Sequence, residues 1–342
     1  MDCPHLPVFD PPQARFFDAR PAVPDDIRPG DLAFVGMPSD ATHSSRIGTR
    51  FGPRALRHES TRLARRLRAS GSDGLIDVRT GEHLRMWPCE RVLDIGDAPI
   101  DPLDVRATTE SIAAKTAAIV ERGGLPVAVG GDHYNGYPAC LGVSRALARQ
   151  CPDRRFGYIQ VDGHLDFGDR LPAWGTHNHA TNARRVSELP NIERTNMVWI
   201  GIAGWVDGKD VEEIEAFGGR IFSAEEVHRI GAVEVARLAL DHALRGCDRL
   251  YLSLDIDALD AGFLPGTGSV VHSELSARQY LDLLTVLSAA PLCGIDLVEV
   301  SPPLDPTGRS ERIAARLLME AVRRRLFEQL PNPVDHKWRA QD

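Results

Sequence analysis

Cysteine is scarce in this chain. Its six residues, Cys3, Cys89, Cys140, Cys151, Cys247 and Cys293, are scattered over 342 positions with no CxxC pair. That density argues against a disulfide scaffold and a thiolate metal site, and reads as reduced thiols in a cytoplasmic protein. Long apolar runs are missing too. The longest, Met197 to Val206, is ten residues with two glycines, whereas a membrane-spanning helix needs about 20. The first residues are rich in proline and aspartate and lack the basic-then-apolar pattern of a secretion signal. Nor is positive charge in excess: 40 Lys and Arg against 48 Asp and Glu give a net charge of −8. With no basic block, neither nucleic acid nor an anionic membrane is an expected partner.

What the chain does have is alternation. Residues 1–30 read as an irregular arm with seven prolines. Beyond it, short apolar runs recur at Leu32–Met37, Val92–Ile95, Pro126–Val129, Phe156–Val161, Met197–Ala203, Arg220–Ser223, Leu250–Leu254 and Cys293–Val300. Most are continuously apolar, as in strands covered on both faces. Amphipathic stretches lie between them, at Pro53–Ala69, Asp104–Arg122, Ala232–Leu244, Ala277–Ala289 and Ser310–Leu330. Strand and helix in turn predict βαβ units, hence a mainly parallel sheet with helices on both faces. The expected organisation is one α/β domain over 31–330, with a tail at 331–342.

Ligands of such sheets bind at the carboxyl ends of the strands. Four expected strands end in groups that carry chemistry. One runs into Gly130-Gly131-Asp132-His133, where the glycines permit a sharp turn. Another ends in Asp162-Gly163-His164-Leu165-Asp166, with three candidate ligands at alternate positions, expected to share a face. A third ends in Ser253-Leu254-Asp255-Ile256-Asp257, and a fourth carries Glu299 in Val298-Glu299-Val300-Ser301-Pro302-Pro303. Each alone could be a solvated loop. Together, His133, Asp162, His164, Asp166, Asp255 and Asp257 form an oxygen-rich set with two imidazoles. Such a set suits two divalent ions such as Mn²⁺.

GGDH, DxHxD, SxDxD and the acidic residue of VEVSPP, in that order, resemble the ureohydrolase (arginase/agmatinase) family over roughly residues 32–325. Gly36-Met37-Pro38-Ser39-Asp40, Arg46 to Arg57 and Leu264 to Gly268 resemble it as well. The resemblance implies a three-layer α/β/α fold with an eight-stranded, mainly parallel sheet. It implies two Mn²⁺ per subunit and hydrolysis of a guanidino compound to urea and an amine by a metal-bridging hydroxide. Asp162 and Asp255 would bridge the ions; His133 and Asp166 would complete one, His164 and Asp257 the other. Glu299 would hold the guanidinium, and His179 would carry a proton to the leaving amine, with His177 as its competitor. With Asp166, these make up the implied catalytic set. Family members usually form trimers or hexamers, so the resemblance implies a homo-oligomer.

The motifs that would hold metal match the family, whereas the loops around 167–183 and 268–275 depart from its pattern. Phe167 to Gly175 lacks the small polar residues with which arginases grip an α-amino acid, which counts against L-arginine. Agmatine is the first expectation, with guanidinobutyrate or a related compound close behind. Asp169 could meet an ammonium group, and Arg170 a carboxylate. A formiminoglutamate-type amidine hydrolase and a metal-stabilised subunit without catalysis are the alternatives.

Overall fold

The structure, a computed structural model, describes residues 14–69, 74–86, 91–271 and 275–331. Cys3, Cys89, most of the expected tail and residues 272–274 of the second divergent loop lie outside the described residues. All eight expected strands form, and an edge strand makes nine. They are β1 (Arg20–Pro21), β2 (Leu32–Gly36), β3 (Val92–Asp97), β4 (Leu125–Val129), β5 (Phe156–Val161), β6 (Ile192–Ile202), β7 (Arg220–Ser223), β8 (Leu250–Asp255) and β9 (Leu292–Val298). Their order across the sheet is β1-β3-β2-β4-β9-β8-β5-β6-β7, every pairing parallel. The extra strand lies within the expected arm. Phe16 and Phe17 beside it are fully buried and pack on Phe34.

The continuous apolar runs are explained by two buried faces. Leu32, Phe34, Val127, Val129, Leu252 and Leu254 join one apolar cluster, with side chains from helices Gly52–Ala69, Ala232–Ala243, Ala277–Leu287 and Arg309–Ala321. The alternate residues Ala33, Val35, Ala128 and Tyr251 face the other way, into clusters with helices Val105–Glu121 and Gly136–Gln150. Successive strand side chains point to opposite faces, so both faces need a helical cover. The result is a three-layer α/β/α sandwich. Asp104 caps helix Val105–Glu121 by accepting the Arg106 and Ala107 N–H groups, which would otherwise lack partners.

One expectation fails. The amphipathic run Ser310–Leu330 is not one helix: it ends at Ala321, a short helical turn Arg323–Leu326 follows, and Phe327–Leu330 becomes a strand. That strand pairs antiparallel with Glu82–Met86, which pairs with Leu75–Asp77 in a separate three-stranded sheet. Arg323, almost wholly buried, ties the pieces together through Asp77 and Glu82, both at 2.6 Å. No described helix is long and apolar enough to cross a membrane.

Candidate metal centre

The four motif-bearing strands are neighbours at the middle of the sheet, in the order β4-β9-β8-β5. Their carboxyl ends therefore open on one place, although they are far apart in the chain. Gly130 and Gly131 have φ of 92° and 77°. A Cβ on Gly131 would lie 2.4 Å from the Ser39 carbonyl oxygen and 2.5 Å from that of Met37, so the turn requires glycine. It delivers His133 into a 3-10 turn, His133–Asn135.

The alternate-position reasoning for the aspartates does not hold, because the chain leaves β5 before Asp162 and β8 at Asp255. Hydrogen bonds aim the side chains instead. Asp162 accepts from the Gln160 amide at 2.7 Å and the His164 N–H at 2.6 Å. Asp255 accepts the Asp257 N–H at 2.7 Å, at the start of a 3-10 turn. Asp166 and Glu299 sit at φ of 45° and 65°, a region sparsely used by non-glycine residues and characteristic of strain held at functional sites.

His133 Nδ1 stands 3.0 Å from Asp162, 2.9 Å from Asp166 and 3.0 Å from Asp255. His164 Nδ1 stands 3.1 Å from Asp257 and 3.6 Å from Asp162. Asp162 thus belongs to two clusters, His133/Asp162/Asp166 and Asp162/His164/Asp257, in each of which the candidate donor atoms lie within 4.8 Å of one another. Donors about 2.0–2.2 Å from a shared cation stand about 3 Å apart when at right angles.

His133 supplies the test of fit. Its Nε2–H is 3.0 Å from Ser253 Oγ, which donates in turn to Asp296 at 2.8 Å. That fixes the tautomer and leaves the buried Nδ1, which makes no hydrogen bond, facing three carboxylates. A lone pair there is repelled unless a cation lies between, so the residues fit divalent ions. Without one, the ring holds a proton. Burial opposes the charge on His133, but the three carboxylates outweigh it and hold its pKa well above the imidazole range. Burial, then Asp257 and Asp162, push Asp255 well up, and burial foremost pushes Asp257 up to about 7.

Without metal, then, the fold keeps protons that the unfolded chain has shed. Raised carboxyl and imidazole pKa values both mean that stability declines as pH rises, for Asp257 between its ordinary value of 3.8 and about 7. Cations displace these protons, so metal-derived stability grows with pH. Chelation should lower the melting temperature, and by more at about pH 8 than at about pH 6. A drop of equal size at both would count against the centre.

The two histidines of the loop separate. His177 packs edge-on against Tyr134 and Tyr137, at centroid distances of 6.0 and 6.3 Å. His179 clusters instead with Glu299 and His43, candidate donor atoms within 4.8 Å. Burial pulls the His179 pKa below its ordinary value. Asp169 is not brought to the site: it is exposed and pairs with Arg185 at 3.0 Å. Arg170, in contrast, lines a cavity of about 700 Å³ that also touches His164 and Asp166. Sequence reading missed His43, whose carboxylate partner is 256 positions away. It also missed Asp296, which the strand pattern gave as one more position in β9.

Fold and site define a three-layer α/β/α protein with a carboxylate–imidazole centre suited to divalent cations. The sequence pattern of the arginase family matches residues 30–323. Guanidinopropionase of Pseudomonas aeruginosa is 32% identical over 85% of this chain and 85% of its own length. Guanidinobutyrase of the same organism is also 32% identical, over 87% of this chain and 88% of its own. The solved structure of proclavaminate amidino hydrolase from Streptomyces clavuligerus superposes with a TM-score of 0.75 at 26% identity, covering 92% of this chain and 97% of that one. The chain belongs to the arginase family, and it is a hydrolase acting on guanidino or amidino C–N bonds.

Proposed function

We propose that this protein hydrolyses a guanidino acid to urea and an amino acid, with two Mn²⁺ ions held by His133, Asp162, His164, Asp166, Asp255 and Asp257. Such ions supply Lewis acidity and an activated water. Glu299 holds the guanidinium, since a buried carboxylate matches a planar cation with forked N–H donors. Burial works against its charge, but the His43 hydrogen bond outweighs it and keeps its pKa below the usual range. His179, with a lowered pKa, gives up its proton readily to the leaving nitrogen.

The observation that carries the acid is Arg170. Among the described residues it has no ion pair, while of the three acids on the same cavity Asp166 belongs to the cluster around His133 and the other two are held in place. Asp210 lies 4.0 Å from Arg184, and Asp207 caps a helix by accepting the Lys209 N–H. Arg170 thus offers an open cationic partner on the cavity wall, which a carboxylate tail would meet and the ammonium of agmatine would not. Both Pseudomonas relatives, guanidinopropionase and guanidinobutyrase, are named for guanidino acids, which supports this order.

The test is urea release by the Mn²⁺-loaded protein on guanidinopropionate, guanidinobutyrate, agmatine and L-arginine, with formamide release from a formimino substrate measured alongside. A guanidino acid should show the highest kcat/KM. Arg170→Gln should raise KM for that acid about tenfold to a hundredfold, as expected for a lost charge-assisted hydrogen bond, and leave agmatine unchanged. Equal losses on both substrates would remove Arg170 from substrate recognition.

A further inference from the structure

His43 lies in the segment between β2 and helix Gly52–Ala69, a segment pinned at several points. Asp40 accepts the Gly48 N–H at 2.8 Å and pairs with Arg50. Thr42 donates to the buried Asp132 through its N–H at 3.1 Å and its hydroxyl at 2.7 Å. The His43 side chain is wholly buried, with 0% exposed. A Cβ on Gly268 would lie 2.6 Å from its ring, so glycine there makes room for it.

Both ring nitrogens are engaged. Nδ1 accepts the Ser45 N–H at 3.0 Å, so the neutral ring carries its proton on Nε2. Nε2 is 3.1 Å from one oxygen of Glu299, and the other oxygen accepts the His133 N–H at 2.8 Å. The ring face lies on His179, centroids 4.5 Å apart and planes within 9°. The neighbouring Ser44 hydroxyl is 2.7 Å from His179 Nε2. His43, His179 and Glu299 could pass for a third cation site, but His43 has no lone pair left to give one.

We propose that His43 is a positioning residue for the reaction. Its N–H fixes the carboxylate of Glu299, and its ring face fixes the plane of His179. A glutamate side chain turns about three bonds, and a histidine on a loop turns about two. Held by one ring, both meet the substrate already set, and less ordering is left to the binding step. This rests on the reading of Glu299 and His179 given above.

Two variants of the reconstituted enzyme separate the two contacts. His43→Phe keeps a flat ring and loses the N–H, so KM should rise about tenfold with kcat within about threefold, the size expected for one lost hydrogen bond to a charged group. His43→Gln keeps an N–H and loses the ring, so KM should stay near that of the parent while kcat falls about tenfold. Identical changes in both parameters for both variants would mark a merely structural role and overturn the proposal. A second readout needs no turnover. In ¹⁵N-histidine spectra of protein loaded with diamagnetic Zn²⁺, a slowly exchanging Nε2–H should vanish in His43→Phe and shift in Glu299→Gln. An unshifted signal in Glu299→Gln would overturn the clamp. The expected shift, with no guanidino compound turned over, would uphold the clamp and sink the proposed function instead.

Discussion

Asp162→Asn is expected to lose its cations and its urea release together. Asp162 belongs to both ligand clusters, so one substitution removes a donor from each. Weakening an outer-shell partner typically costs ten- to a hundredfold in metal affinity or activity, so loss of a shared direct ligand should cost on the order of a thousandfold or more. The asparagine is nearly the same size and can still accept one of the two hydrogen bonds, from Gln160 or from the His164 N–H. Circular dichroism should therefore show the fold retained, while elemental analysis shows metal well below that of the parent. Full activity in cation-free Asp162→Asn protein would end the proposed mechanism.

Glu299→Gln should behave differently, and the contrast separates the two halves of the site. Glu299 is not in either cluster around Asp162, so metal content should match the parent. Its two oxygens accept from His133 N–H and from His43. A glutamine offers only one acceptor, so its NH₂ must face one of these donors while the guanidinium loses its counter-charge. Removing one partner of a buried charge pair costs about 2–5 kcal/mol, so kcat/KM should fall about a hundredfold or more. The loss should appear largely in KM, measured by steady-state urea release. An unchanged KM would show that the guanidinium is held elsewhere.

Much of this was legible along the chain, because parallel strands buried on both faces leave continuous apolar runs. All eight runs became strands, and the six candidate metal-holding residues came together where the strand-end rule places a site. Helix Gly136–Gln150 was not legible. Its sequence holds two glycines and a proline, and it is buried almost along its length, which erases the polar face that marks an amphipathic helix. The strand Phe327–Leu330 was not legible either. It follows a helix and an arginine run without a break in pattern, and it becomes a strand through Glu82–Met86, more than two hundred positions earlier.

The sequence by itself determined the layered α/β class, the donor types at the strand ends and the family, since these depend on local composition and order. Only the tertiary structure decided among the loop residues. It put His179 rather than His177 beside Glu299, turned Asp169 away to Arg185, left Arg170 on the cavity and placed His43 between the two groups the substrate is proposed to meet. The physical reason is range. Periodicity and turn chemistry act over a few residues, whereas the His43–Glu299 contact joins positions 256 apart and exists only once the sheet has brought β2 beside β4 and β4 beside β9.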